Sequence, residues 1–445
     1  LGFVDLLGDI LKIEVFVSDR NMPTMPEWDA RVCAYAYKYL PVRQPFPSDE
    51  LHVIADISGS VEFNAQKFYK QLAASGIDSA SFPVAEESMC AVVSSGLHAF
   101  PQVTSYLPYQ SQSLVRQPCL NDPAFVVSEQ THLRSMAQIV RDYPALAIGM
   151  GEGNALSATG EDVCRCPHCM AAVGEYLRKQ YADLDALARA WGVSQAKCDN
   201  MQVPTEQHAR ESKRYAAWID FRLFMDSVFA STHTSARATL RTFDPRARSG
   251  IAGAQADELF AGYDWQTMSS RLDMVAMPAD IRLVSIARSA RSGASITAVQ
   301  MPIGATGDAA RWLPWFSTLH RAQALRLPEM LAGTPQVPAR VALDPMGQIV
   351  PFAPEFTAET AALHNGLAKL WLKSTPQRAA IAIYTSRSSA WLNHVENQFA
   401  ANSADAEREY VKVLSTLGHA FDLVSAERIS KGGLSPYRVL ILPMA

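Results

Sequence analysis

Residues 51–57 read LHVIADI, a short apolar run rich in β-branched side chains. A run of this kind suits a parallel strand covered on both faces. The stretch behind it, VEFNAQKFYKQLAASG (61–76), has a helical pattern. The alternation then repeats. Further strand candidates are DSASFPV (78–84), HAFPQVTSYL (98–107), ALAIGMGEGN (145–154), RSGIAGAQ (248–255), LDMVAMP (272–278) and SITAVQMPIG (295–304), with one more near 320–330. Helical stretches separate them, among them 125–142, 170–191 and 215–242. Eight strands alternating with helices imply a parallel sheet, and units of this size suit a (β/α)8 TIM barrel within an α/β fold. An open doubly wound sheet is the alternative. Its glycine-rich first turn is poorly matched by DISGSVEFN (56–64).

The 445 residues leave room for two or three domains. Residues 1–50 are proline-dotted and read as a lead-in or the end of a preceding element. The barrel is expected over 51–340. A linker follows over 341–375, where DPMGQIVPFAPEFTAET carries boundary prolines and a glycine. Residues 376–445 read as the opening half of a flavodoxin-like α/β domain, with strands in AAIAIYTS, FDLVS and YRVLILP. Its helix AEREYVKVLSTLG (406–418) places Ala406, Tyr410, Leu414 and Leu417 on one face. The ends, Leu1 and YRVLILPMA, read as cut from a longer polypeptide. Apolar residues make up 48% and charged residues 19%, as in globular proteins with ample core. A net charge of −4 and the lack of a basic run argue against a nucleic-acid partner. No uninterrupted apolar run approaches the roughly 18 residues of a membrane span.

Three of the seven cysteines crowd into EDVCRCPHC (161–169). An odd count and tight spacing favour a metal over a disulfide framework. Structural zinc takes four S or N ligands in a tetrahedron. Cys164, Cys166 and Cys169 can supply three of them from one loop. Cys119, in the loop after the third strand, is the best fourth, with His168 as the alternative. Four protein ligands leave no open position, so such a zinc is structural. Cys33, Cys90 and Cys198 read as ordinary thiols. Reduced thiols favour the cytoplasm.

Reacting groups of barrels lie at the C-terminal ends of strands. Glu152 ends the fourth strand between two glycines, where partial desolvation suits a general acid. Its plainer role is bracing the loop that leads to the cysteines. Glycoside hydrolysis needs a second carboxylate. Candidates after the later strands are Asp257, Glu258, Asp280, Asp308 and Glu329. Tyr263, Trp265, Trp312 and Trp315 follow the fifth and seventh strands and offer flat faces to a sugar ring, although packing is the commoner fate of such rings.

Three segments taken together resemble glycoside hydrolase family 42, the β-galactosidases. They are GEGN…EDVCRCPHC with YLRKQYADLDALARAWG, then WIDFRLFMDSVFASTHTSARATLRTFDP, then the tail from IVPFAPEF to YRVLILP. The resemblance covers roughly residues 95–445. It implies a (β/α)8 barrel, retaining hydrolysis of terminal β-galactosides, a structural zinc in some members, and a homotrimer formed through the domain after the barrel. Glu152 matches the family's catalytic acid. Cys119, Cys164, Cys166 and Cys169 match its zinc ligands. Asn154, Tyr263, Trp265 and Trp312 are the substrate-binding candidates. Two positions depart from the family pattern. Gly151 stands where an Asn usually precedes the acid. Gln300 stands where the strand-seven nucleophile should be, and an amide cannot form a glycosyl-enzyme intermediate. Asp308 is then the nucleophile candidate. The alternative is a catalytically degenerate barrel that binds carbohydrate or serves as an assembly module.

Overall fold

The computed structural model describes residues 50–57, 65–103, 118–141, 143, 145–151, 154–156, 164–194, 203–251, 259–291, 295–301, 307–327, 353–396 and 403–443. Eight parallel strands close into a barrel in sequence order. They are β1 (His52–Asp56), β2 (Ser79–Pro83), β3 (His98–Gln102), β4 (Ile148–Gly149), β5 (Ser249–Ile251), β6 (Met274–Pro278), β7 (Ile296–Gln300) and β8 (Ala324–Leu327). Pairing of β1 with β8, His52 against Ala324 through Ala55 against Leu327, shuts the ring. Each expected strand is present among the described residues.

Helices wrap the outside. α1 (Ala65–Ala74), α2 (Glu86–Ser94) and α3 (Pro123–Val140) follow the first three strands. The long return from β4 carries α4 (Pro167–Gln180), α5 (Leu184–Trp191), α6 (Glu206–Ser212) and α7 (Ala216–Phe243). Then α8 (Trp265–Arg271), α9 (Ile281–Ala290) and α10 (Gly307–Leu319) follow β5, β6 and β7. Strand alternation sorts the two cores. Val53, Ala55, Val275, Met277 and Val299 face the helices. Ile54, Phe100, Met274, Ala276, Ile296, Ala298 and Ala324 fill the barrel interior. This matches the period of two along a strand.

Part of the stretch read as a linker is helical. α11 (Ala353–Ala362) packs along α10, and α12 (Ala368–Lys373) follows a kink at Gly366, whose φ is +117°. Trp315 Nε1 donates to Glu359 at 2.8 Å, and Arg311 pairs with Glu355 at 2.8 Å. Residues 1–49 and 328–352 lie outside the described set.

The C-terminal unit has three parallel strands in the order β10-β9-β11: β9 (Ile381–Tyr384), β10 (Phe421–Val424) and β11 (Val439–Ile441). Its helices are α13 (Arg387–Glu396), α14 (Ser403–Thr416) and α15 (Ala426–Ser430). The buried face of α14 is not the expected one. Ser403, Glu407, Val411 and Leu414 are covered, whereas Tyr410 and Leu417 are exposed. The reason is polar: Glu407 turns inward to meet Arg282 of α9 at 2.7 Å, and the apolar pattern alone does not register an ion pair. Among the described residues no helix is long and apolar enough to cross a membrane.

Candidate active site and metal centre

The C-terminal mouth of the barrel is lined by a polar layer one step beyond the apolar interior. Asp56 follows Ile54 by two residues, Gln102 follows Phe100, Gln300 follows Ala298 and Arg326 follows Ala324, so each shares its predecessor's inward face. Arg326 is fully buried at 0% exposure and holds the layer together. Its Nη2 donates to Asp56 Oδ2 at 2.6 Å, and its Nη1 donates to Gln300 Oε1 at 2.9 Å. One guanidinium fork thus bridges β7, β8 and β1. Gln102 Nε2 donates to Ser81 Oγ at 3.0 Å across β3 and β2.

The fourth strand, Ile148–Gly149, is followed by Met150 and Gly151. Gly151 has φ +93°, a left-handed conformation that Gly and Asn tolerate better than other residues. Glu152 itself lies outside the described residues, as do Asp257, Glu258 and Glu329. Asn154 is buried behind the strand end. Its Nδ2 donates to Met150 O at 2.6 Å and lies 3.2 Å from His233 Nε2. His233 Nδ1 lies 2.8 Å from Phe229 O. The set is self-consistent when His233 donates from Nδ1 and accepts at Nε2. The Tyr263 hydroxyl donates to Asn154 O at 2.7 Å. These bonds brace the chain that follows Gly151.

The expected aromatic platform is only partly open. Tyr263 and Trp265 are 0% and 2% exposed and pack with each other and with Phe229. Their rings are core, because the short helix α8 folds them under the barrel's outer layer. Trp312 is 46% exposed on α10, edge-on to Phe316. Asp308 is exposed in the first turn of the same helix. Asp280 caps α9, accepting from the backbone of Arg282 and Leu283, and pairs with Arg408 at 3.0 Å, which leaves it a structural acid.

The four expected cysteines converge. The Sγ atoms of Cys119, Cys164, Cys166 and Cys169 all lie within 4.8 Å of one another. Tetrahedral zinc at about 2.3 Å from each sulfur requires S–S separations of about 3.8 Å. The donors are therefore soft, three of them buried and Cys166 half-buried, and spaced for a metal ion. Two similar local structures bring them together. Cys166 is the N-cap of α4 with Pro167 behind it, and Cys169 sits one turn in. Cys119 lies in the turn that ends at Asp122, the N-cap of α3, with Pro123 behind it. Asn121 Nδ2 donates to Cys169 Sγ at 3.3 Å. Arg165 locks the loop from the other side, donating to Val203 O and Pro204 O at 2.7 Å each. Hydrogen bonds from the Cys119 and Cys169 thiols favour the Cys164 thiolate and lower its pKa, while hydrogen bonds with Cys119 and Cys164, together with burial, push Cys169 upward. His168, the alternative ligand, is exposed on α4 and outside the cluster. Cys90 is buried and in no disulfide, and Cys33 and Cys198 lie outside the described residues.

Sequence reasoning missed the polar layer of the mouth. Its signals were single residues: an acid ending LHVIAD and one cation inside ALRL. Both looked like strand ends within apolar runs.

Together these features define a closed (β/α)8 barrel with a four-cysteine, metal-type cluster tying two of its loops. A family model described as beta-galactosidase, glycoside hydrolase 42, matches residues 109–283. No protein of curated function matches the chain. Among solved structures it resembles a β-galactosidase from Bacillus circulans sp. alkalophilus, with TM-score 0.67, 13% identity, and 88% of this chain and 67% of that one covered. A β-galactosidase from Rahnella sp. R3 gives TM-score 0.71 and 15% identity over 90% and 68% of the two chains. A GH5_18 protein from Streptomyces cattleya, solved with GlcNAc, gives TM-score 0.54 and 12% identity over 88% and 98%. The resemblance to glycoside hydrolase family 42 thus holds in both family model and fold, at the low identity of a divergent relative.

Proposed function

We propose that this chain is a divergent family 42 glycoside hydrolase that cleaves terminal β-linked galactosides. The observation that carries the reading is the cysteine cluster. Cys119 meets Cys164, Cys166 and Cys169 as the resemblance requires, and the β4 strand end lies in the same matched region. Glu152, directly after Gly151, is the acid/base that protonates the leaving-group oxygen. Asn154 supports the loop that carries it, and Trp312 offers an open ring to the sugar. Asp308, the candidate partner carboxylate from the sequence, stands exposed in the first turn of α10. Zinc on the four cysteines supplies no chemistry, since four thiolates close its coordination sphere; it would fix the loops after β3 and β4 relative to each other. Assembly as a homotrimer through the C-terminal unit and residence in the cytoplasm belong to the same proposal.

A second reading, a degenerate barrel that binds carbohydrate, is favoured by Gln300, 3% exposed and held by Arg326 where the nucleophile should stand. A panel of nitrophenyl glycosides separates the two. The expected result is release from the β-galactoside by the wild type and at least a ~10³-fold loss in Glu152→Gln with an unchanged circular dichroism spectrum. Saccharide binding without release from any glycoside establishes the second reading.

A further inference from the structure

Gln300 leaves the seventh strand without an acid at its end, and Asp308 stands exposed on the helix beyond. The inner wall of the barrel supplies another carboxylate. Among the eight described barrel strands, Asp56 is the acid that a strand itself carries. It closes β1, faces inward with Ile54 and retains 6% exposure. Arg326, with none, lies beneath it. The two arms of Arg326 reach Gln300 and Asp56 at 2.9 and 2.6 Å. The amide of Gln300 accepts one arm and leaves the other aimed at the carboxylate. A charge-assisted bond of this length fixes the Asp56 side chain in one orientation. Groups mounted on strands of a rigid scaffold are held more closely than groups on loops.

We propose that Asp56 is the catalytic nucleophile of this barrel, moved from the seventh strand to the first, with Arg326 as its positioning residue and Gln300 as the anchor of Arg326. This rests on the hydrolase reading. In the first step an Asp56 oxygen bonds to the anomeric carbon, and the bond from that carbon to the glycosidic oxygen breaks. The electron pair stays on the leaving oxygen, which takes the Glu152 proton. In the second step a water oxygen bonds to the anomeric carbon and its proton passes to Glu152. The ester bond to Asp56 breaks and restores the carboxylate. No redox partner is needed. The exchange also explains why an amide is acceptable at position 300: Gln300 neutralises nothing and leaves the Arg326 charge to Asp56.

The test uses the wild-type protein and a dinitrophenyl 2-deoxy-2-fluoro-β-galactoside, which traps the glycosyl-enzyme. Peptide mass mapping is expected to find the fluorosugar on the peptide containing Asp56. Azide is expected to restore aglycone release in Asp56→Gly and to give a galactosyl azide inverted at the anomeric carbon. Arg326→Lys is expected to lower kcat by about tenfold or more with KM within about threefold, since positioning acts on the transition state. A label on Asp308 or any other acid, or an Asp56→Gly rate within threefold of wild type, overturns the assignment. If the wild type turns over and Glu152→Gln does not, while the label lies elsewhere, only Asp56 falls. If the wild type releases nothing from any glycoside, the hydrolase reading falls with it.

Discussion

Arg326 is the residue on which the barrel mouth depends. A guanidinium with no exposure is tolerable only with its partners in place, since removing one side of a buried pair strands the other charge. Arg326→Met is expected to cost about 3–5 kcal/mol in urea unfolding, because Asp56 is left buried beside a thioether. The double variant with Asp56→Asn is expected to recover most of that loss, which a double-mutant cycle reads directly. Gln300→Glu is expected to draw Arg326 away from Asp56 and lower turnover by about tenfold or more; a rise in turnover instead would return the nucleophile to strand seven. Far from the mouth, His320 sits against Phe316 with Arg288 near it, and burial followed by that positive charge lowers its pKa to about 4. The folded state therefore binds this proton less readily than the unfolded chain. The stability from a neutral His320 is present above about pH 6.5 and drains away as pH falls toward 4. His320→Gln is expected to flatten that part of the stability–pH curve, measured by urea midpoints at half-unit steps. Of these residues only Gln300 stood out in the sequence; Arg326, Asp56 and His320 did not. A single polar residue in an apolar run signals neither its facing nor its partner, and both are set by strands distant along the chain.

At the scale of elements the sequence was far more legible. Short apolar runs bounded by turn residues located all eight barrel strands, because burial on both faces favours near-continuous apolar stretches. Among the described residues, pairing at β4 and β5 covers Ile148–Gly149 and Ser249–Ile251. Gly149 and Gly250 lie within these two strands, where glycine weakens the pairing, and Gly151, at φ +93°, turns the chain away after β4. Cysteine spacing was legible for a different reason. A short loop limits how far its thiols can separate, so three ligands were readable locally. The fourth needed the barrel's adjacency of the β3 and β4 loops, which fold class supplied. The aromatics failed this test, since proximity to a strand end does not tell whether Tyr263 and Trp265 face the mouth or the helices. The cysteine cluster carries its own prediction. Wild-type protein is expected to hold about one zinc per chain by elemental analysis. Cys119→Ser is expected to lose it and to lower Tm by several degrees, and a chelator should bring the wild type down to the same value. Retention of full zinc by Cys119→Ser would return His168 to consideration.

The whole molecule is held together by charges as much as by apolar contact. The C-terminal unit leans on α7 and α9 of the barrel. Arg387 pairs with Asp226 at 3.0 Å, Arg408 with Asp280 at 3.0 Å, and Arg282 with Glu407 at 2.7 Å. Arg222 lies among the faces of Trp218, Phe260 and Trp391, 4.6 to 5.9 Å from their centroids, so one cation joins α7 to α13. These pairs differ in burial, and burial decides their weight. Arg282 and Glu407 are both nearly sealed, and Thr385 Oγ1 adds a third group at 3.2 Å from Glu407 Oε2. Arg408 and Asp280 remain about a third open to solvent, where an ion pair contributes about 0–1 kcal/mol. Glu407→Ala is therefore expected to cost about 3–5 kcal/mol, because the Arg282 guanidinium stays buried without its carboxylate. Arg408→Ala is expected to cost less than about 1 kcal/mol. Replacing Arg282 and Glu407 together by Met and Leu should return stability close to wild type, since the volume is kept and no charge is stranded. Urea unfolding followed by far-UV circular dichroism and by tryptophan fluorescence, to which Trp218 and Trp391 at the contact contribute among the chain's eight tryptophans, distinguishes the cases. Equal small losses for Glu407→Ala and Arg408→Ala would mean that solvent reaches Arg282 once its partner is gone, and that the aromatic enclosure of Arg222 holds the two units together instead.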